Sequence, residues 1–180
     1  MPALPDRISV DENLVLLPIA PEHAPALFAV VDTHRAALLP FLPWIPYNRS
    51  VNDTAAFIAD SQALAERGEG KTWVIQYQGD SIGCISFNSI DWPSRTGTVG
   101  YWLSPDFHGR GIVSRSLNAL LDAAADYGVE RCELRCATHN TPSNAVALRC
   151  GFRHSGIRER AETICGTVYD HNIYHRACRV

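Results

Sequence analysis

Hydrophobic and polar residues alternate along the middle of the chain in three consecutive runs. Residues 71–90 contain two runs rich in β-branched and aromatic side chains, and Gly79 between them suits a tight hairpin turn. Residues 96–103 form the third run, in which Tyr101 and Leu103 stand on one face of a strand. The pattern predicts an antiparallel meander of three strands.

Apolar residues recur at helical spacing after the meander. In residues 112–127 they stand at i, i+4, i+7, i+8 and i+11, and Gly128 suits a helix end. Residues 50–70 predict an earlier helix, with Asn52 or Asp53 as its N-cap. The sequence therefore places one helix before the meander and a longer one after it.

Further elements are predicted toward both ends of the chain. The remaining runs are a strand at residues 12–19, helical periodicity at 21–42 broken by Pro25 and Pro40, a strand at 131–138, a short helix at 141–152, and a hairpin at 154–177 that turns near Cys165 and Gly166. The expected architecture is a mixed α/β (α+β) sheet. It consists of a meander, a crossover helix, a strand, a helix and a terminal hairpin, in a single domain spanning 1–180.

Composition excludes several classes of protein. The chain has 180 residues, of which 46% are hydrophobic and 19% are charged, so it can bury a substantial core. Its formal net charge of -3 gives no general attraction to nucleic acid. No basic leader followed by an apolar run stands at the N-terminus, and no run is long enough to span a membrane. We therefore expect a cytoplasmic protein.

The six cysteines are expected to be packing residues. Cys132 and Cys136 are four residues apart, which on a strand places them on one face together with Leu134. Paired C-x-x-C spacing, typical of structural zinc sites, is absent from the sequence. We predict no metal site.

The stretch "SPDFHGRGIVSRSL", residues 104–117, joins a predicted strand to a predicted helix. Gly109 and Gly111 would let a ligand approach the backbone closely, and Arg110 between them offers positive charge. The first N–H groups of a helix have no partner within that helix, and the helix dipole adds positive charge there. The stretch therefore suits an anion, although Gly-Arg-Gly taken alone favours a plain tight turn.

The order of strand "VGYWL", loop "HGRGI", a long helix, strand "LRCAT" and "HNTPSNAVALRCGF" resembles the GCN5-related N-acetyltransferase (GNAT) family. Within it, "FLPWIPYNRSVNDTAAFI" and "AETICGTVYDHNIY" resemble the branch of the ribosomal-protein acetyltransferases RimJ and RimL. The resemblance implies a central sheet of about six to seven strands, two of them splayed apart, with acetyl-CoA in the opening.

The resemblance also implies which residues bind acetyl-CoA. They are Trp102, Leu103, His108, Gly109, Arg110, Gly111, Ile112, Val113, Ser114, Asn140 and Asn144. In the family, loop N–H groups bind the pyrophosphate, and the backbone of the preceding strand runs antiparallel to the pantetheine arm. His108 stands where the family has Gln or Arg, and Val113 where it has a small residue. The two asparagines match positions that line the cofactor or hold its helix.

Two catalytic roles follow from the same resemblance. Glu162 matches a carboxylate that removes a proton from the acceptor amine through water. Ser143 matches a hydrogen-bond donor to the departing thiolate, and its alternative role is to cap the helix that it begins. Direct attack of the amine on the thioester leaves Cys150 without a role as an acetylated intermediate.

The expected acceptor is the N-terminal α-amine of a protein, with a ribosomal protein suggested by the branch. The alternative within the enzyme class is a small amine, and the alternative outside it is a non-catalytic module that senses CoA. Trp44 and Tyr47 either line the acceptor site, meet a partner chain or, as we favour, pack in the core. A homodimer is also expected from the resemblance. The histidines at 108, 139, 154, 171 and 175 show no Ser-His-Asp order and are interpreted as structural.

Overall fold

The computed structural model describes residues 3–179, and one eight-stranded sheet runs through them. The strands are β1 Ile8–Ser9, β2 Leu14–Pro18, β3 Lys71–Tyr77, β4 Asp80–Asp91, β5 Thr96–Leu103, β6 Arg131–Ala137, β7 Arg153–Ile164 and β8 Thr167–Ala177. The helices are α1 Ala24–Thr33, α2 Arg35–Leu38, α3 Val51–Glu66, α4 Ile112–Ala125 and α5 Thr141–Arg149. Short 3₁₀ turns lie at Pro21–His23, Ile45–Tyr47 and Pro105–Phe107.

The strands are ordered β1-β2-β3-β4-β5-β6-β8-β7 in the sheet. Each pair is antiparallel except β5 with β6, which α4 connects as a crossover helix. The predicted meander, crossover and terminal hairpin are confirmed. The sheet has eight strands rather than six or seven because β1 contributes only two residues, too few for a hydrophobic period to show in the sequence.

Helices cover the two faces of the sheet with separate apolar clusters. On one face, α4 buries Leu117, Leu120 and Leu121 completely against the sheet. On the other face, α1 and α3 pack on the sheet through a cluster that includes Leu27 and Ile58. Both faces of the central strands are therefore buried over much of their length, and the site lies where this packing opens.

The two central strands separate toward their C-terminal ends. Residues 96–99 of β5 pair with residues 131–134 of β6, and the ladder between these strands ends there. Beyond that point β5 stays paired with β4 as far as Leu103, and β6 stays paired with β8 as far as Ala137. The predicted splay of the central strands is confirmed, and it leaves a cleft between residues 100–103 and 135–137.

Two predicted details at helix starts are wrong. The N-cap of α3 is Ser50 rather than Asn52 or Asp53, because the Ser50 hydroxyl accepts the N–H of Asp53 at 3.2 Å. Pro25 does not break a helix, because it lies in the first turn of α1, where a proline lacks no needed hydrogen bond.

Two further sequence-based expectations concern the burial of the cysteines and the length of the helices. Cys132 and Cys136 are buried with Leu134 on one face of β6, as predicted. Over residues 3–179 no helix is both long and apolar enough to cross a bilayer.

The helix α4 provides a test of the core. Replacing Leu120, which is fully buried, by Ala should lower the free energy of unfolding by about 2–5 kcal/mol, because it removes apolar contacts and leaves a cavity. The matched control is Leu148→Ala on α5, whose side chain is 62% exposed and should change stability by about 0.5 kcal/mol or less. Urea denaturation measures both. Equal losses in the two variants would contradict the packing described for α4.

Candidate active site

The loop that carries Gly109 and Gly111, here called the glycine joint, leads into the N-terminus of α4. Gly109 and Gly111 adopt φ angles of +78° and +71°, in the left-handed region that favours glycine. Gly111 is the N-cap of α4 and makes no side-chain hydrogen bond. The N–H of Arg115 donates the first hydrogen bond of the helix, to the Gly111 carbonyl at 3.0 Å. The preceding N–H groups remain available to an anion.

Arg115 holds the joint in this conformation. Its guanidinium donates to the carbonyls of Gly111 at 3.4 Å and Arg110 at 3.2 Å, and it forms an ion pair with Asp11. The backbone N–H of Asn13 and the Arg115 charge hold the pKa of Asp11 below its usual value. Sequence reasoning missed Arg115, whose only signal is its position four residues after Gly111.

The other predicted residues of the joint divide into side-chain and backbone contributors. His108 Nε2 donates to the Leu103 carbonyl at 3.1 Å, and the Arg110 guanidinium lies 5.1 Å from the centre of the Phe107 ring. The Ile112 side chain is buried in the core. Val113 and Ser114 are also partly buried, so these three residues offer the site mainly their N–H groups.

Ser143 lies across the cleft from β5 and bonds to Tyr101. Their hydroxyl oxygens are 2.8 Å apart, and burial raises the pKa of Tyr101 well above its usual value, so its hydroxyl stays protonated. The cap of α5 is Asn140, whose side-chain oxygen accepts the Ser143 N–H at 3.3 Å. The Ser143 hydroxyl is therefore not the cap, and it is paired with the Tyr101 hydroxyl. Sequence reasoning missed Tyr101, since only folding brings it to Ser143.

Asn144 holds α5 in place. Its amide nitrogen donates to the carbonyls of Ala137 at 3.1 Å and Asn140 at 2.8 Å, and its oxygen accepts from Asn172 at 2.8 Å and Tyr174 at 2.7 Å. Of the two roles that the resemblance suggests for Asn144, this geometry matches the one of holding the helix.

Glu162 forms a hydrogen-bonded pair with His171. The carboxylate oxygen Oε2 lies 3.0 Å from Nε2 of His171, and the side chains are only 24% and 16% exposed. A bulge shifts the register of β7 against β8 between Arg158 and Glu162, and Arg160 within it has φ +51°. Sequence reasoning took His171 as structural, although the predicted turn near Cys165 already placed it opposite this part of β7.

One cavity of about 810 Å³ joins these groups. Tyr101 and Ser143 line it from the cleft, and Glu162 and His171 line it from the terminal hairpin. The remaining lining is largely apolar and aromatic, and includes Trp44, Tyr47, Phe57 and Trp102. The cavity therefore places a pair of hydroxyl donors and a carboxylate–imidazole pair around the same space.

The aromatic connector lies on the cavity and only in part in the core. Trp44 packs edge to face on Trp102, with ring centres 5.8 Å apart, and contacts the cluster of Val31, Leu38 and Ile45. Tyr47 is 79% exposed, so the prediction that it packs in the core is wrong. A 3₁₀ turn directs it toward the cavity mouth rather than inward.

Thiols in and near the cavity are protonated. Burial raises the pKa of Cys84 to about 12 and also raises the pKa of Cys136 and Cys150. A thiol needs to be deprotonated to attack a thioester, so these three are poor nucleophiles near neutral pH. Over residues 3–179 no group of three or more metal-ligating side chains is placed to hold an ion.

This arrangement is that of an N-acetyltransferase. The chain belongs to the GNAT family, since the family model "Acetyltransferase (GNAT) domain" matches residues 13–153. It is 34% identical over 172 residues to the ribosomal-protein-serine acetyltransferase of Escherichia coli, covering 95% of this chain and 96% of that protein.

Two solved structures match nearly the whole chain. One is the RimL ribosomal L7/L12 α-N-protein acetyltransferase in complex with coenzyme A, with a TM-score of 0.92, 35% identity, and 95% and 97% of the two chains covered. The other is the microcin C7 self-immunity acetyltransferase MccE in complex with acetyl-CoA and AMP, with a TM-score of 0.92, 32% identity, and 97% and 98% covered.

The hydrogen bonds of Asn144 generate a stability prediction. Asn144→Ala should lower the free energy of unfolding by about 2–4 kcal/mol, because the buried Tyr174 hydroxyl and the Asn172 amide lose their acceptor. The control is Asn13→Ala, an exposed asparagine whose replacement should cost about 0.5 kcal/mol or less. Thermal and urea unfolding measure both, and a loss of control size at Asn144 would show that the network does not hold α5.

Proposed function

We propose that this enzyme transfers the acetyl group of acetyl-CoA to the N-terminal α-amine of a protein, with a ribosomal protein as the favoured acceptor. The observation that carries the proposal is the shared cavity. It places the Tyr101–Ser143 hydroxyl pair and the Glu162–His171 pair around one space beside the splayed strands. Acetyl transfer needs an acceptor for the amine proton and is helped by a donor to the leaving group.

The residues around the cleft fit acetyl-CoA. The backbone of β5 beyond Val99 is free of β6, so an extended pantetheine arm can pair with it as an added strand. The Leu103 carbonyl is already bonded to His108, which leaves this pairing to the other backbone groups of Trp102 and Leu103. The open N–H groups between Gly109 and Ser114 suit the pyrophosphate, and Arg110 adds a positive charge beside them.

The hydroxyl pair suits the departing thiolate. A thiol of ordinary pKa, about 8.5, leaves more easily when a donor stabilises its anion, although it does not need a strong acid. Ser143 can donate its hydrogen to the sulfur while Tyr101, which stays protonated, donates to Ser143. The pair thus supplies a hydrogen bond to the sulfur where its negative charge develops.

The Glu162–His171 pair suits an α-amine acceptor. An α-amine has an ordinary pKa of about 7.7–8.0, against about 10.4 for a lysine side chain, so a modest proton acceptor makes it nucleophilic near neutral pH. The carboxylate and the imidazole both line the cavity and are largely shielded from water. This favours an N-terminus over a lysine side chain.

The names of the relatives support the protein acceptor. The Escherichia coli relative is named for acetylation of a ribosomal-protein serine, and RimL for the α-amine of ribosomal L7/L12. The exposed side chains of Tyr47 and Phe57 at the cavity mouth offer apolar contact to the first residues of an acceptor chain. An acceptor on the ribosome would place the reaction in the cytoplasm.

A small amine is the second candidate. The MccE structure is a complex with both acetyl-CoA and AMP. In this chain Trp44, Tyr47 and Phe57 line the cavity, and aromatic side chains of this kind can stack on a flat ring in an acceptor. The two candidates differ in the molecule that carries the amine and share the same transfer chemistry.

One further proposal and one prediction concern the organisation of the protein. We propose that residues 1–180 form a single acetyltransferase domain, supported by the one sheet that runs through the described chain. The homodimer expected from the family resemblance stays a prediction.

An acceptor panel tests the proposed function. The enzyme is incubated with acetyl-CoA and a peptide that has a free N-terminal serine, the same peptide with a blocked N-terminus and an internal lysine, spermidine, an aminoglycoside and an aminoacyl-nucleotide analogue. Thiol release and product mass are followed. We expect a mass gain at the α-amine of the free peptide and none on the blocked peptide. Turnover with a small amine alone would overturn the protein acceptor and retain acetyl transfer.

The glycine joint can be tested separately through cosubstrate affinity. Gly111→Leu should weaken binding of CoA about tenfold or more, because the side chain occupies the space of the phosphates and strains the N-cap at φ +71°. Gly166→Leu is the matched control, since Gly166 has φ +82° in the β7–β8 turn. It carries the same backbone strain without touching the joint. Calorimetric titration with CoA measures both, and equal affinities would refute the assignment of the joint.

A further inference from the structure

His171 stands between Glu162 and the cleft. In the sheet, β8 lies between β6 and β7, so a side chain on β8 is one strand from the cleft edge and a side chain on β7 is two strands from it. His171 pairs with Ala137, the last residue of β6, on the edge of the cleft. Glu162 reaches His171 from β7. An acceptor amine in the cleft therefore meets the imidazole before the carboxylate.

The hydrogen bond to Glu162 determines which imidazole nitrogen is free. An ionised carboxylate only accepts hydrogen bonds, so Nε2 of His171, at 3.0 Å from Oε2, carries the hydrogen. In the neutral ring the other nitrogen, Nδ1, then holds the lone pair. The carboxylate orients the ring, and it stabilises the positive charge that appears when Nδ1 takes a proton.

Charged groups on the neighbouring strands are engaged elsewhere or exposed to solvent. Arg158, opposite His171 on β7, is exposed. Arg135 lies on the same face of β6 and forms an ion pair with Glu133. The carboxylate of Asp170, next to His171 in sequence, accepts the N–H of Arg160. Glu162 is the carboxylate bonded directly to the ring.

Two further titratable groups lie at or near the cavity. The ring of His139 stacks on Tyr169 with centres 4.0 Å apart, and its Nε2 donates to the Pro40 carbonyl at 3.1 Å. Asp53 lines the cavity from α3 and accepts the N–H of Arg49 at 2.9 Å, which lowers its pKa. Both are committed to structural bonds, so neither replaces the Glu162–His171 pair as proton acceptor.

We propose that His171 is the catalytic base of the acetyl transfer and that Glu162 is its positioning residue. The inference rests on the proposed function. Nδ1 of His171 takes one proton from the acceptor ammonium, and the nitrogen lone pair then attacks the thioester carbon. The C–S bond breaks and the sulfur leaves as a thiolate. The acylated nitrogen then loses a second proton, to the thiolate or to solvent, and His171 gives its own proton to solvent before the next cycle.

Three variants test this assignment against a base role for Glu162 alone. His171→Gln can still donate to Glu162 but cannot accept a proton. Glu162→Gln can still accept from Nε2 but carries no charge. His175→Gln is the control, since His175 lies on the same strand and bonds to Glu133 at 2.8 Å outside the cavity. Acetylation of whichever amine the wild-type enzyme accepts is measured between pH 5 and about 9, together with CoA affinity.

In the wild-type enzyme kcat/KM should fall toward acidic pH, as the imidazole becomes protonated. His171→Gln should lower kcat about 10²–10³-fold while CoA affinity stays unchanged, and the fall that remains should lie at higher pH, set by protonation of the acceptor amine itself, at about 7.7–8.0 for an α-amine. Glu162→Gln should keep the acidic fall of the wild-type enzyme, because the imidazole keeps its lone pair, and should lower kcat less than His171→Gln does. His175→Gln should match the wild-type enzyme.

The outcomes separate the two proposals. A His171→Gln enzyme with the wild-type pH profile, or a Glu162→Gln enzyme with the amine-set profile expected for His171→Gln, would overturn the role of His171 and leave acetyl transfer intact. A wild-type enzyme that releases no thiol with any amine would overturn both proposals. If His171→Gln unfolds, as shown by circular dichroism, the pH profile of Glu162→Gln decides: a fall at the wild-type position supports His171 as the base, and a fall moved up to the range of the free amine overturns it.

Discussion

The site depends on the point at which β5 and β6 stop pairing. Their ladder ends after Val99 and Leu134, yet each strand keeps its outer partner, β4 or β8, to its own end. The opening therefore interrupts one ladder while both strands remain held in the sheet. Backbone groups on the cleft side of β5 are left without a strand partner, and unpaired backbone groups favour a ligand that can bond to them. The cosubstrate site follows from this constraint.

Polar side chains brace the cleft on its β6 side. Asn144 connects α5 to β6 through one hydrogen bond and to β8 through two, and a fourth bond goes to Asn140, the N-cap of α5, so that the start of α5 is fixed against the strands. Ser143, one residue earlier, is thereby held opposite Tyr101. A hydroxyl pair at a fixed position in a largely apolar cavity is a more effective donor than the same pair in water, because it needs no reorganisation during the reaction.

Local sequence patterns predicted the strands and helices that form the site, but they placed some of the helix ends wrongly. Alternation marked the meander, helical spacing marked α4, and the glycine joint appeared as Gly109 and Gly111. The N-cap of α3 fell at Ser50 instead of two or three residues later, since several polar residues there are competent caps and packing selects one. Tyr47 was expected in the core because aromatic residues are usually buried, but its 3₁₀ turn exposes it.

The sequence by itself determined the order of elements, the family and the candidate carboxylate Glu162, because these follow from local periodicity and from short motifs. Only the tertiary structure decided which side chains meet. Tyr101 reaches Ser143 from 42 residues away, and Glu162 reaches His171 across a bulge that changes the register of the hairpin. Such contacts depend on strand order and register. Spacing along the chain does not determine either one, because one added residue changes every later pairing.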